Sequence, residues 1–92
     1  MINVNEYLEG KVKSLGFESD GVRYTVGVLL GGEYALDSET EEHFTVTVGE
    51  FEVCVRGRAW KAVKAGDRFV IPPKSVFDLK VKKPASYVCM FR

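Results

Sequence analysis

Phe77-Asp78-Leu79-Lys80-Val81-Lys82 alternates apolar and polar side chains without a break. A period of two sends Phe77, Leu79 and Val81 to one face of an extended strand, and Asp78, Lys80 and Lys82 to the other. Phe51-Glu52-Val53-Cys54-Val55-Arg56 repeats the pattern less strictly. Turn residues frame these runs on both sides: Ser19-Asp20-Gly21, Gly49-Glu50, Arg56-Gly57-Arg58, Ala65-Gly66-Asp67, Pro72-Pro73 and Lys83-Pro84. Gly31-Gly32, between Val26–Leu30 and Glu33–Leu36, reads as a tight hairpin, because a Gly-Gly pair accepts two positive φ angles. No dozen residues show the 3.6 period of an amphipathic helix. Asn3 to Leu8 is the one stretch left for a short helical or irregular turn. Many short strands at even spacing predict an all-β sandwich or barrel, with residues 1–92 forming a single domain.

The 92 residues carry 13 basic and 13 acidic side chains and a formal net charge of zero. That balance argues against a nucleic-acid partner, which calls for an excess of Lys and Arg. No apolar run approaches the 18 or so residues of a membrane span. Met1-Ile2-Asn3-Val4-Asn5-Glu6 lacks the basic and apolar regions of a secretory signal, so a cytoplasmic protein is expected. Cys54 and Cys89 sit among apolar neighbours and read as buried free thiols. A domain of this size has a thin core and exposed strand edges, both of which favour a homodimer.

Two segments resemble the paired motifs of the cupin superfamily, a jelly-roll barrel also called a double-stranded β-helix. Glu42-His43-Phe44-Thr45-Val46-Thr47-Val48-Gly49 is similar to the end of the first motif, and Gly66-Asp67-Arg68-Phe69-Val70-Ile71-Pro72 to the start of the second. The departures are informative. Metal-binding cupins would carry histidines near Leu36 and Ser38 and at Phe77, and a glycine at Lys74. His43, adjacent to Glu42, faces the opposite side of its strand. One carboxylate without imidazoles is a poor ligand set for a transition metal, so neither a metal nor any other cofactor is expected.

More narrowly, the chain resembles the small pyrimidine/purine nucleoside phosphorylases over nearly its whole length. Asn5-Glu6-Tyr7, Gly10-Lys11-Val12-Lys13-Ser14, Gly16-Phe17, Val26-Gly27-Val28, Gly32-Glu33-Tyr34, Glu41-Glu42, Trp60, Ala65-Gly66 and Ser86-Tyr87 carry the likeness. It implies a homodimeric cupin that cleaves nucleosides with inorganic phosphate, releasing the base and a pentose 1-phosphate. A non-catalytic cupin that binds a sugar or nucleotide is the alternative, and it shares the same residues.

Phosphorolysis needs a held phosphate, a fixed sugar and compensation of charge on the departing base. Lys11 and Lys13, on one face of an early strand, are the phosphate candidates; Arg56 and Lys74 are further cations, and a solvated outer face is the competing reading for the two lysines. Arg23, at a strand entrance, could reach into a barrel mouth. Glu42 is the catalytic candidate, accepting hydrogen bonds from ribose and offsetting positive charge, unless it pairs with a buried Arg or Lys. Tyr34, Tyr87 and Phe77 would form a sugar-and-base slot or pack the core. Trp60 reads as packing or dimer contact, and Lys80, Lys82 and Lys83 as an edge guard.

Overall fold

A computed structural model describes residues 1–92. Ten strands follow one another: β1 (Asn3–Tyr7), β2 (Val12–Ser19), β3 (Val22–Leu29), β4 (Gly32–Asp37), β5 (Glu42–Val48), β6 (Glu50–Val55), β7 (Lys61–Lys64), β8 (Arg68–Ile71), β9 (Val76–Val81) and β10 (Ala85–Phe91). They form a six-stranded sheet, ordered β1-β2-β3-β10-β5-β8, and a four-stranded sheet, ordered β4-β9-β6-β7. All pairings are antiparallel. The all-β reading holds.

The two sheets enclose one cluster of 16 buried apolar residues. Phe77, Leu79 and Val81 all point into it, as their alternation requires. Phe44 stacks on Phe69 at 4.8 Å and meets Phe77 and Tyr87 edge-on or tilted, which ties the two sheets together. Both thiols are free, Cys89 buried and Cys54 half-buried. No helix is long and apolar enough to cross a membrane.

Several local expectations are corrected. Asn3–Tyr7 is not a turn but an edge strand, paired with β2 from Asn3↔Gly16 to Tyr7↔Val12. The irregular turn comes next, at Leu8–Gly10, where Leu8, Glu9 and Gly10 all have positive φ. Gly31-Gly32 does not close a hairpin: β3 lies in the larger sheet and β4 pairs with β9 in the smaller one. The chain crosses between sheets there because inward residues on both sides, Leu29 and Tyr34, are buried against opposite layers. Lys80 guards no edge, since β9 is central in its sheet, between β4 and β6. Its ammonium instead lies 4.4 Å over the exposed ring of Trp60, outside the barrel, where a cation meets the electron-rich face. By contrast, Asp20 (φ 50°) and Gly21 (φ 75°) make the expected tight turn between β2 and β3.

Candidate active site

The registry of the larger sheet sorts the side chains of its inner face into rows, the last of which runs out to exposed Glu18 and Arg23 at one end. One row runs Asn5, Ser14, Gly27, Tyr87, Val46. The next runs Gly16, Thr25, Cys89, Phe44, Phe69. The last, at the end of the sheet, runs Glu18, Arg23, Phe91, Glu42, Ile71. Between these rows and the smaller sheet lies a cavity of about 440 Å³, within the range of small-molecule sites.

The cavity has one mixed wall and one largely apolar one. Its hydroxyls and carboxyl, from Ser14, Thr25, Tyr87 and Glu42, come from the larger sheet together with Val12, Leu29, Phe44, Cys89 and Phe91. Leu36, Phe51, Phe77 and Leu79 come from the smaller. Tyr7 and Leu8 on one side, and Ala35 and Asp37 on the other, border it as well. On the mixed wall, Asn5 Nδ2 donates to Ser14 Oγ at 3.3 Å, and the Tyr87 hydroxyl lies beside Ser14. Burial raises the Tyr87 phenol above its usual range and pushes the Cys89 thiol up to about 12. Neither ionises at neutral pH, so Tyr87 acts as a hydrogen-bonding hydroxyl and Cys89 as an apolar filler.

Glu42 stands at the cavity end of β5, 8% exposed. The chain's ion pairs, Lys13–Glu6, His43–Glu41 and Arg56–Asp78, leave it without a partner. No side-chain oxygen of the chain is sealed in without a partner, so its carboxyl opens to the cavity. Burial with no compensating charge pushes its pKa from 4.5 up to about 7. The structural alternative for Glu42, a pair with a buried Arg or Lys, is therefore absent. Alternation turns His43 to the other face, where Nε2 lies 3.0 Å from Glu41 Oε2.

Of the other candidates, Phe77 and Tyr87 join Glu42 in the cavity wall. Arg23 occupies the same row as Glu42, separated from it by Phe91, and its guanidinium lies 5.2 Å over the Phe91 ring. The remaining candidates are not brought to the cavity. Arg23 is exposed and borders a separate surface hollow with Met1, Asn3 and Phe17. Tyr34 is buried at the barrel's side, its hydroxyl donating to Leu30 O at 2.6 Å, which ties down the crossing between sheets. Lys11 and Lys13 do not share a strand face: Lys11 lies in the turn before β2, in αR conformation, and both side chains are in solvent, Lys13 Nζ pairing with Glu6 at 3.0 Å. Arg56 is held by both Asp78 oxygens, at 3.1 and 3.2 Å, outside the smaller sheet. Sequence reading missed Ser14, Thr25, Asn5 and Tyr7. Alternation does not single them out: β2 and β3 carry apolar residues on their outer faces too, and Asn5 and Tyr7 fall in the stretch read as an irregular turn.

The positions that hold metal in metal-binding cupins do not fit one here. Leu36 and Phe77 are hydrocarbon. Ser38 Oγ is occupied, donating to Pro72 O at 2.6 Å and accepting from Ser75 N at 3.0 Å. Glu42 is the one remaining donor, and no three His, Cys, Asp or Glu side chains converge. Lys74, where that superfamily's motif has glycine, adopts the left-handed conformation (φ 53°) that glycine favours.

Two layered antiparallel sheets around a cavity have the cupin fold, as solved structures show. An RmlC-like cupin from Shewanella frigidimarina superposes with a TM-score of 0.77 at 22% identity, covering 98% of this chain and 82% of that one. A protein of unknown function from Vibrio parahaemolyticus superposes with a TM-score of 0.96 at 38% identity, covering 100% and 99%. The sequence profile described as pyrimidine/purine nucleoside phosphorylase matches residues 2–91, and the chain belongs to that family. Relatives named pyrimidine/purine nucleoside phosphorylase include one from Pectobacterium carotovorum, 45% identical over 99% of both chains. Another, from Photobacterium profundum, is 43% identical over 97% of both.

Proposed function

We propose that the protein cleaves purine and pyrimidine nucleosides with inorganic phosphate, giving free base and pentose 1-phosphate, without a metal. The observation that carries this reading is a cavity lined mostly by aromatic and aliphatic side chains, into which the larger sheet sets the hydroxyls of Ser14, Thr25 and Tyr87 and one unpaired carboxyl. A nucleoside has the same polar and apolar parts. Its sugar would lie against Ser14, Thr25 and Tyr87, and its base against Phe77, Leu36 and Leu79. Apolar contact discriminates weakly between bases, which suits broad substrate tolerance.

No protein nucleophile is required, because phosphate itself attacks the anomeric carbon. Holding phosphate and sugar together makes the step effectively unimolecular. Arg23 is the cation in the Glu42 row and is the candidate phosphate ligand, its fork of donors matching the anion. Glu42 faces the reacting centre.

The active form would be a homodimer in the cytoplasm. Its contact would be the outer face of the larger sheet, where Leu15, Val26 and Val28 are exposed side by side on β2 and β3.

The test is release of base from inosine and uridine with and without phosphate, before and after dialysis against a strong chelator. Turnover that requires phosphate and survives the chelator supports the proposal. Ligand binding without turnover would favour a non-catalytic cupin instead.

A further inference from the structure

We propose that Glu42 works in its protonated form, as the acid that delivers a proton to the departing base. This assigns the reacting carboxyl the opposite charge from an electrostatic anchor for a cation-like ribose, and it rests on the phosphorylase reading above.

The geometry leaves the carboxylate nothing to hold its charge. On its own strand, Glu41 and His43 face outward and pair with each other. From β10, the side chains packed toward it are Phe91, Cys89 and Tyr87, the latter two uncharged at neutral pH. β8 offers Ile71 as its register partner, and the smaller sheet offers Leu36 and Phe77. Tyr7 borders the cavity from β1, and Asp37 adds a second carboxyl from β4. Arg23 is the one cation in its row and is held off by the intervening ring of Phe91. A buried carboxyl among hydrocarbon, a thiol and a second acid keeps its proton far more readily than one in water. Burial pushes its pKa to about 7, so a large fraction is protonated at neutral pH, near the optimum for proton transfer.

The step balances. A phosphate oxygen of HPO₄²⁻ forms the bond to the anomeric carbon as the carbon–nitrogen bond breaks. That bond's electron pair goes to the base, and the carboxyl proton of Glu42 neutralises it. Glu42 is left as the carboxylate. The proton that arrived on phosphate is lost by the sugar phosphate and restores the carboxyl, so no co-reactant is needed. Protonation matters because an unprotonated base would leave as an anion, against an apolar wall that cannot stabilise it.

The experiment compares inosine with 7-methylguanosine, whose cationic base leaves without needing a proton. Glu42→Gln keeps the shape and a neutral side chain but cannot supply a proton. It should lower kcat on inosine by about 10²-fold or more and on 7-methylguanosine by less than about tenfold. Losses of equal size on both substrates, with the wild type active on both, would overturn the acid role alone. Absence of phosphate-dependent turnover by the wild type would overturn the phosphorylase reading and the acid role with it. If the variant fails to fold, carbon-13 NMR of glutamate-labelled wild type still decides. One carboxyl titrating near pH 7 is expected, and ionisation of every glutamate by pH 5.5 would overturn the proposal.

Discussion

Gly27 exists to make room for Tyr87. The two are register partners on β3 and β10, and a Cβ on residue 27 would lie 2.6 Å from Cε1 of the tyrosine ring. The ring lies over the bare backbone and reaches Ser14 on the next strand, which places its hydroxyl on the mixed wall of the cavity. Gly27 is not a turn glycine, since its φ is not positive; what it supplies is space. Gly27→Ala should displace the ring and destabilise the fold by about 1–3 kcal/mol, the usual range for overpacking. Gly16→Ala is the matched control, because its Cβ would meet nothing closer than 3.6 Å. Chemical denaturation of the two variants, beside KM for nucleoside, checks this. Equal effects at the two positions would contradict it.

How far the sequence discloses this molecule depends on whether a feature is local. Phe77, Leu79 and Val81 declare their face because alternation alone determines it, and they are buried as read. Gly31-Gly32 misleads because turn chemistry says that a chain can reverse, not which strand the next one will pair with. β1 is hard to see since its inward residues, Asn3 and Asn5, are polar and it is paired on one side only. Lys11 and Lys13 show the limit of periodicity: it assigns them one strand face, but Lys11 lies in the turn before β2 and both side chains are in solvent. Tyr34 could not be placed because its hydroxyl is bound by carbonyls of the preceding crossover. Glu42 was legible through motif spacing, but its missing partner is a fact of three dimensions.

Phosphate affinity separates Arg23 from the outer lysines. Arg23→Ala should raise KM for phosphate by about tenfold or more, on the scale of one charge-assisted contact. Lys13→Ala removes only an exposed pair with Glu6 and should leave that constant within about twofold. Initial rates over a range of phosphate concentrations decide between them. A large effect from Lys13 and none from Arg23 would reverse the assignment.

Glu42 should make stability depend on pH. Its folded-state pKa, about 7, lies above the ordinary 4.5, so the folded chain binds a proton more tightly than the unfolded one. Its contribution is unchanged below about pH 4.5. It declines as pH rises to about 7, by about 3 kcal/mol in all, and is level beyond. Glu42→Gln cannot ionise and escapes that loss. The variant should match the wild type near pH 4.5 and exceed its melting temperature at pH 8. A variant less stable than wild type at pH 8 would show that the carboxylate has a partner when ionised.

The outer face of the larger sheet makes the last prediction. Val4, Leu15, Val26 and Val88 lie in register across four strands, and Phe17, Tyr24 and Met90 form the adjoining row. Leu15 is 47% exposed, Val26 43% and Val28 50%. Apolar side chains scattered singly over a surface are ordinary, but adjacent rows of them mark a contact surface. Because the face is continuous and lies on one side of a regular sheet, a second copy can meet it through a two-fold axis, burying the same residues on both chains. The wild type should therefore scatter light as about twice the 10.3 kDa chain. Val26→Glu places a charge at the centre of the patch, where pairing would bury it without a partner, and should give the monomer. Since Val26 points away from the cavity, circular dichroism of the variant should remain that of a folded β protein. A wild type that remains monomeric at micromolar concentration, or a Val26→Glu variant that still dimerises, would show that this face is not the contact.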